Sequence, residues 1–261
     1  MPVLARQPAP EAVTMILHKH MRTTSTYHLR ATIFALSTFY VACNPIGGAF
    51  DHEPKDLENE VSVEARTLID QAFEGIQGET LRDYHVHMLG MNEDINGTFV
   101  NEDWQSPWGG LIHFFQFEIY KSAADITDEQ QADVQYLARL KDLIQFMPGR
   151  GKFGIMAFDF FHDEQGHPDR ELSTFHVPNE YVMTLARKNP DIFFPVISIH
   201  PYREDATTVL RHYVEQGVRF VKWLPNAMGI HPASDTMQDK LVPYYRIMKE
   251  YDMVLISHTG V

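Results

Sequence analysis

Apolar residues in the second half of the chain occur in short, uninterrupted runs that alternate with amphipathic segments. The apolar runs occupy residues 153–158, 192–200, 218–224 and 253–258. Between them, apolar positions at helical spacing predict helices over 178–188, 204–216 and 235–251. Strands that are apolar on both faces and alternate with helices are typical of a parallel sheet with right-handed crossovers.

The same alternation extends toward the N-terminus. Residues 80–87 form a short β-type run, and residues 56–76 carry apolar side chains at helical spacing. Two more helices are predicted over 111–124 and 128–146, the second opened by Thr127-Asp128-Glu129-Gln130, which is typical of a capping box. The pattern therefore predicts about five strands and four crossovers.

The first fifty residues differ from the rest in charge and composition. They carry four basic residues and one acidic residue, a net charge of +3, so a total of −13 leaves −16 for the remainder. Two arginines precede a mostly apolar segment from Ala31 to Ala42, and Cys43 follows it. This order is typical of a secretory signal, and the Ala-Cys pair resembles a lipoprotein cleavage box. We expect a leader and linker over 1–50 and a folded body over 51–261, with a short buried helix or strand as the alternative for the leader.

Composition narrows the class of protein and its location. With 261 residues, 44% hydrophobic and 22% charged, the chain is globular in type. An acidic body repels phosphate backbones, which argues against nucleic acid as a partner. The single cysteine excludes an intrachain disulfide and a cysteine-based zinc site. We expect export to a bacterial cell envelope with a lipid anchor at Cys43, the cytoplasm being the alternative; the oligomeric state is left open.

The pattern Asp83-x-His85-x-His87 lies on the first predicted strand. Because side chains alternate along a strand, these three residues are expected to share one face, and the two imidazoles can converge on one metal ion. Zinc is the expected metal, with manganese and iron as alternatives. Asp83 is expected either to accept a hydrogen bond from a ligand ring, as outer-shell carboxylates do, or to stabilise the floor of a barrel.

His258 closes the last apolar run. The carboxyl ends of parallel strands meet at one edge of a sheet, so His258 is expected to join His85 and His87 there as a third ligand. A site with three protein ligands keeps an open position for water, whose pKa falls to about 7 on a catalytic zinc. The alternative for His258 is a hydrogen-bonded residue at a strand end.

Two further residues on these strands are predicted to be catalytic. His200 follows the third run, and Lys222 lies within the fourth, where a buried lysine is costly without a partner. The structural alternatives are a histidine that ends its strand and a lysine that reaches out between helices. A substrate loop is predicted from Trp104, Trp108, Trp223 and Asn226, with an aromatic packing loop as the alternative for the first two.

Four ordered motifs between residues 81 and 260 resemble one family. They are RDYHVHMLG, ISIHPYREDA, GVRFVKWLPNAMGIHP and MVLISHTG. Together they resemble the amidohydrolase superfamily, in its amidohydrolase 2 (amidohydrolase-related) branch of metal-dependent (β/α)8 barrels. The resemblance implies His85, His87 and His258 as metal ligands. It also places Lys222 on the strand where binuclear members carry a carboxylated lysine, although a mononuclear site is commoner in this branch.

The chain departs from that family after His258. Members use a histidine on strand six and an aspartate on strand eight, and this sequence contains neither. We therefore expect a mixed α/β fold, an incomplete TIM-type (β/α)8 barrel preceded by an N-terminal helix. We also expect the 261-residue chain to be part of a longer protein and inactive in this form.

The expected function is that of a metal-dependent hydrolase. Water activated on a divalent metal would cleave an amide, ester or lactone bond of a small molecule. One alternative is a metal-dependent non-oxidative decarboxylase of an aromatic or muconate-type acid, because this chemistry also occurs in the branch. The other is an exported barrel protein that binds a ligand without catalysis.

Overall fold

The structure, a computed structural model, describes residues 56–258 of the chain. Its central feature is a set of parallel strands of four to six residues each. We number them β1 (Arg82–His87), β2 (Lys152–Met156), β3 (Phe193–Val196), β4 (Phe220–Trp223) and β5 (Val254–Ser257).

Helices occupy most of the connections between these strands. In the described part of the chain, those of ten or more residues are α1 (Val63–Phe73), α2 (Leu111–Ala123), α3 (Ala132–Phe146), α4 (Asn179–Lys188), α5 (Ala206–Glu215) and α6 (Gln238–Glu250). Four-residue helices are Leu57–Glu60, Glu93–Asn96, Glu102–Gln105 and Pro225–Met228. In the same part of the chain, the loop after β2 contains an antiparallel pair of two-residue strands, Phe161–His162 and Pro168–Asp169. A third short strand of this loop, Phe175–His176, pairs antiparallel with Phe99–Val100.

The parallel strands lie side by side in chain order. β2 pairs with both β1 and β3, and β4 pairs with β5. Ile197, just after β3, joins the two groups through a parallel bridge to Val221. Its N–H donates to the Phe220 oxygen (3.1 Å) and its oxygen accepts from the Lys222 N–H (2.7 Å). The predicted mixed α/β fold is confirmed. Within residues 56–258, β1 and β5 do not pair, so the sheet is open and forms no closed barrel.

Burial separates the inner strands from the outer ones. Four of the five residues of β2 and three of the four residues of β4 are buried. By contrast, no residue of β1 or β5 is buried. The prediction of strands covered on both faces is therefore confirmed for the inner strands and wrong for β1 and β5.

Two groups of buried side chains hold the sheet against its helices. One joins the first three strands to α3 and α4 and includes Met88, Ile144, Phe153, Ile155, Val182, Leu185 and Phe193. The other joins β4 to α5 and α6 and includes Ile197, Leu210, Val221, Trp223, Leu241 and Tyr244. Because burial of apolar area is the dominant favourable term in folding, these groups fix the positions of the strands.

The start of α3 differs from the predicted capping box. The Asp128 carboxylate accepts from the Gln130 N–H (3.0 Å) and opens a short 3-10 turn, after which α3 begins at Ala132. The Thr127 hydroxyl instead accepts from the Gln135 amide (3.0 Å). The cap therefore belongs to Asp128, one residue later than predicted.

β1 contains one residue more than the strand beside it. Asp83 pairs with Phe153, whereas Val86 pairs with Ile155, so residues 84–85 face a single residue of β2. An extra residue of this kind is a β-bulge, which locally changes the direction of the side chains on its strand. The bulge thus lies within the predicted metal motif, before His87.

Several predictions concern parts of the chain outside residues 56–258. The leader and linker, including Cys43, lie outside the described residues, as does the boundary of the folded body at residue 51. Among the described helices, none is both long and apolar enough to cross a membrane.

The junction between β3 and β4 is expected to contribute strongly to the free energy of unfolding. Ile197 is fully buried, so Ile197→Ala should lower the free energy of unfolding by about 2–5 kcal/mol in urea denaturation. The control is Ile112→Ala, at a side chain that is 74% exposed, and it should change the value by less than about 0.5 kcal/mol. Equal losses in the two variants would contradict this role of the junction.

Candidate functional site

The two histidines of β1 converge at its carboxyl end. The Nε2 atoms of His85 and His87 lie 2.9 Å apart, and the two rings stack at 4.9 Å with an interplanar angle of 9°. His87 also contacts the Phe158 ring, which follows β2 (5.0 Å between centroids). The predicted convergence of these two imidazoles is thus present in the structure.

Lys222 reaches the same point from β4. Its side chain is fully buried, and its Nζ lies 3.4 Å from the His85 Nε2. A second contact joins the same two strands, since the centroid of the Tyr84 ring lies 5.4 Å from that of the Phe220 ring. Residues 84–85, the two bulged residues, therefore both reach β4. The predicted outward-reaching alternative for Lys222 is wrong, because the side chain is inside.

His258 lies near this group without completing it. It follows β5, its N–H donates to the Trp223 oxygen (3.0 Å), and its side chain is exposed. It is close enough to His85 and His87 for its charge to lower the pKa of both. Among the described residues, however, no three His, Cys, Asp or Glu side chains are grouped tightly enough to hold a metal ion. The structure therefore brings together His85, His87 and Lys222, with His258 beside them.

The electrostatics keep both histidines in the form that binds metals. Desolvation by the surrounding protein, and next the neighbouring His85 and Lys222, lower the pKa of His87 to about 4. Desolvation and then Lys222 also lower the pKa of His85, against an opposing effect of Asp83. Burial lowers the pKa of Lys222 as well. Both imidazoles are consequently neutral at pH 7, the form in which a ring nitrogen can bind a metal.

The donor atoms fit a divalent transition metal. Zinc binds histidine nitrogen at about 2.0–2.1 Å, in tetrahedral geometry, so two nitrogens on one ion stand about 3.3–3.4 Å apart. The Nε2 atoms of His85 and His87 are hydrogen-bonded to each other at 2.9 Å, and they would separate by a few tenths of an ångström to bind one ion together. Imidazole is also a ligand that zinc, iron and manganese sites share. The residue types at this point are therefore ones that could hold such an ion.

Asp83 makes a contact different from the predicted one. Its Oδ1 accepts from the backbone N–H of His85 at 2.8 Å, and the side chain is not bonded to a ligand ring. The bulge explains the difference, because it interrupts the regular alternation between Asp83 and the histidines. Asp83 therefore supports the backbone of the bulge.

His200 lies in the core. Its ring is fully buried, with Nε2–H donating to the Met228 oxygen (2.6 Å) and Nδ1 accepting from the Tyr202 N–H (3.1 Å). Both ring nitrogens are thus used in hydrogen bonds within the protein. The structural alternative for His200 fits these contacts better than the predicted catalytic role.

The residues predicted to form a substrate loop are dispersed. Trp104 stacks on His113 (4.7 Å between centroids), whereas Trp108 is 95% exposed. Trp223 is fully buried and donates from its indole nitrogen to the Ile199 oxygen (3.0 Å). Asn226 lies on the four-residue helix after β4. Trp223 is therefore a core residue, and the other three do not form one surface with it.

Sequence reasoning missed a polar cluster after β2. The buried carboxylate of Asp159 accepts from the His200 N–H (2.9 Å) and the Arg203 guanidinium (3.1 Å). Asp159, Arg203, His162 and His176 line a cavity of about 700 Å³. The signal available in the sequence was Asp159 itself, an acidic residue directly after an apolar run. It was missed because its partner Arg203 is distant in the chain.

No protein-family model, curated protein or solved structure matches this chain. The resemblance to the amidohydrolase superfamily consequently stays a prediction based on four motifs. What the structure adds is the geometry around one of them, the His85 and His87 pair.

The hydrogen bonds of His200 predict how stability depends on pH. Burial, and next the neighbouring His162, lower the pKa of His200 to about 3. An ordinary histidine in the unfolded chain has a pKa near 6.5, so the unfolded state gains a proton that the folded state does not. Between pH 7 and 5 this site should therefore remove about 2 kcal/mol from the free energy of unfolding. His200→Gln keeps a donor and an acceptor without titrating, and we expect a visibly flatter pH profile in urea denaturation. An unchanged profile would contradict the neutral, buried state.

Lys222 is expected to reduce stability. No described carboxylate forms an ion pair with this fully buried amine, so Lys222→Met should raise the free energy of unfolding by about 1 kcal/mol or more. Lys249→Met, at an exposed lysine of α6, is the control and should shift it by less than about 0.5 kcal/mol. A loss of stability in Lys222→Met would instead show that the amine is compensated.

Proposed function

We propose that this chain carries the metal site of a metal-dependent hydrolase. The observation that supports the proposal is the convergence of the His85 and His87 Nε2 atoms, 2.9 Å apart, with the buried Nζ of Lys222 at 3.4 Å from His85. The two neutral imidazoles and the buried amine lie toward the carboxyl ends of parallel strands, where ligands bind in α/β folds. The expected substrate is a small molecule with an amide, ester or lactone bond.

We propose further that the open sheet is five strands of a (β/α)8 barrel. Strands β1 and β4 are three positions apart, about 14 Å in a flat sheet. The contacts of His85 with Lys222 and of Tyr84 with Phe220 join these two strands, so the sheet is strongly curved. Parallel strands in chain order, curved in this way and open at both edges, support an incomplete barrel.

Each residue of the site has a proposed role. A divalent metal, zinc in the first place, would act as a Lewis acid that polarises the substrate carbonyl and lowers the pKa of water. His85 and His87 would hold it through Nε2, and His258 would be the third ligand from the end of β5. Lys222 would stabilise negative charge that develops on the substrate oxygen.

The burial of the Lys222 amine favours a second candidate reaction. Its amine is fully buried, and no described carboxylate pairs with it, so a carboxylate on the substrate would be a suitable partner. This favours, as the alternative, a non-oxidative decarboxylase of an aromatic or muconate-type acid. Decarboxylation releases carbon dioxide, whereas hydrolysis adds the oxygen of water to the product. Carbon dioxide release and isotope incorporation from labelled water therefore separate the two.

The sequence of the predicted leader supports a location at the cell envelope for this activity. The basic flank, the apolar segment from Ala31 to Ala42 and Cys43 favour export and a lipid anchor at the bacterial cell envelope. We propose this location, with the cytoplasm as the alternative. Radiolabelled palmitate incorporation that is lost in Cys43→Ser would support the anchor.

Metal binding is the direct test of the proposed site. His85→Ala and His87→Ala should each weaken zinc binding at least about 100-fold, measured by competition with a chromogenic chelator, because each removes a ligand. His167→Ala removes a histidine whose side chain is 79% exposed, and it should bind zinc like the unsubstituted chain.

Two outcomes would count against the proposal. Equal zinc affinity in all four proteins would show that the bound metal lies elsewhere. Intact zinc binding without hydrolysis or decarboxylation of amide, ester, lactone or aromatic-acid substrates would favour the non-catalytic binding protein.

A further inference from the structure

Helix α3 contacts the backbone at the point where β1 ends. The Tyr136 hydroxyl donates to the carbonyl oxygen of His87 at 2.6 Å. Asp133, one turn earlier on the same helix, accepts from the backbone N–H groups of Met91 (2.7 Å) and Asn92 (3.1 Å). Residues three apart on a helix lie on one face, so a single face of α3 holds both ends of the segment 87–92.

The carboxylate of Asp133 is used entirely for this segment and the turn after it. The residue is 3% exposed, and it also accepts from the Asn96 amide (2.8 Å) and the Thr98 hydroxyl (2.9 Å). Four donors from residues 91–98 therefore satisfy a buried charge, which would otherwise be strongly destabilising. A charged acceptor with this many bonds fixes the path of the chain after β1.

The chain approaches this carboxylate unusually closely. A Cβ atom added at Gly90 would lie 2.4–2.6 Å from the Asp133 carboxylate atoms, closer than any side chain allows. Glycine is therefore required where β1 leaves the sheet. This requirement explains why the residue three positions after His87, in the predicted metal motif, is a glycine.

These contacts matter because the sheet supports β1 on one side. Within the described residues it pairs only with β2, it contains the bulge, and none of its residues is buried. An edge strand with an interrupted ladder leaves its last residue, His87, weakly held by the sheet itself. Burial raises the pKa of Tyr136, so its hydroxyl stays protonated as the donor to His87.

We infer that Asp133 and Tyr136 are positioning residues that hold His87 in the geometry that binds the metal. The inference rests on the proposed function. Neither residue lies among the candidate ligands, and both act on the backbone that carries one. Supporting residues of this kind around a metal site typically change metal affinity 10- to 100-fold when they are altered.

Tyr136→Phe tests the inference, with Tyr244→Phe as the matched control. Tyr244 is a fully buried tyrosine whose hydroxyl donates to the Ile199 backbone oxygen (3.1 Å), so its phenylalanine variant loses the same kind of bond elsewhere. We expect Tyr136→Phe to weaken zinc binding by the full chain about 10-fold and to alter the visible spectrum of bound Co²⁺. Tyr244→Phe should lower the midpoint of thermal unfolding and leave zinc affinity within about 2-fold.

Asp133→Asn is the second variant, and it keeps the volume and one acceptor oxygen of the side chain. It should weaken zinc binding by at least as much as Tyr136→Phe, since it loosens several bonds at once. If His87→Ala abolishes zinc binding but Tyr136→Phe and Asp133→Asn leave it unchanged, the inference about the positioning residues is wrong and the proposed function stands. An equal effect of Tyr136→Phe and Tyr244→Phe would also overturn that inference, because the loss would then reflect stability. Zinc binding that is insensitive to His87→Ala would overturn the proposed function itself.

Discussion

The curvature of the parallel sheet is the constraint on which the candidate site depends. In a flat sheet, β1 and β4 would be about 14 Å apart, and side chains standing perpendicular to the sheet would not meet across that distance. The 3.4 Å contact between His85 and Lys222 therefore exists only because the inner face is concave. The same curvature brings Tyr84 against Phe220. A sheet that bends this far in five strands places the ends of its first and last strands near each other, which is why the charge of His258 acts on His85 and His87.

The second determinant is a single extra residue. The bulge in β1 sends Tyr84 and His85 both toward β4, and it separates Asp83 from the two histidines. The alternation of side chains along a strand predicted that His85 and His87 lie on one face of β1. It also predicted that Asp83 lies on that face. The contact of Asp83 with a backbone N–H shows where that rule fails. Bulges arise from pairing with a neighbouring strand, so the residues of β1 alone do not reveal them.

The alternation of strands and helices was predictable because it is local. The apolar run 218–224 contains β4 (Phe220–Trp223), and the helical spacing over 178–188 contains α4 (Asn179–Lys188). Side-chain direction was not predictable in the same way. His200 ends an apolar run just as His258 does, yet its ring is held by Met228 and Tyr202 in the core. Those partners depend on the packing of the loop after β4 and on the turn after His200, which no strand pattern specifies.

The proposed metal site lies on an outer strand and would have to satisfy two opposed requirements. Its ligands need access to solvent and substrate, and β1 provides this because none of its residues is buried. A ligand also has to keep its position, and an exposed strand with a bulge does so poorly. In this chain the rigidity comes from outside the sheet, through the buried Asp133 and the Tyr136 bond to His87. Exposure of the candidate ligands and fixation of the His87 backbone thus belong to different elements, which would let one strand meet both requirements.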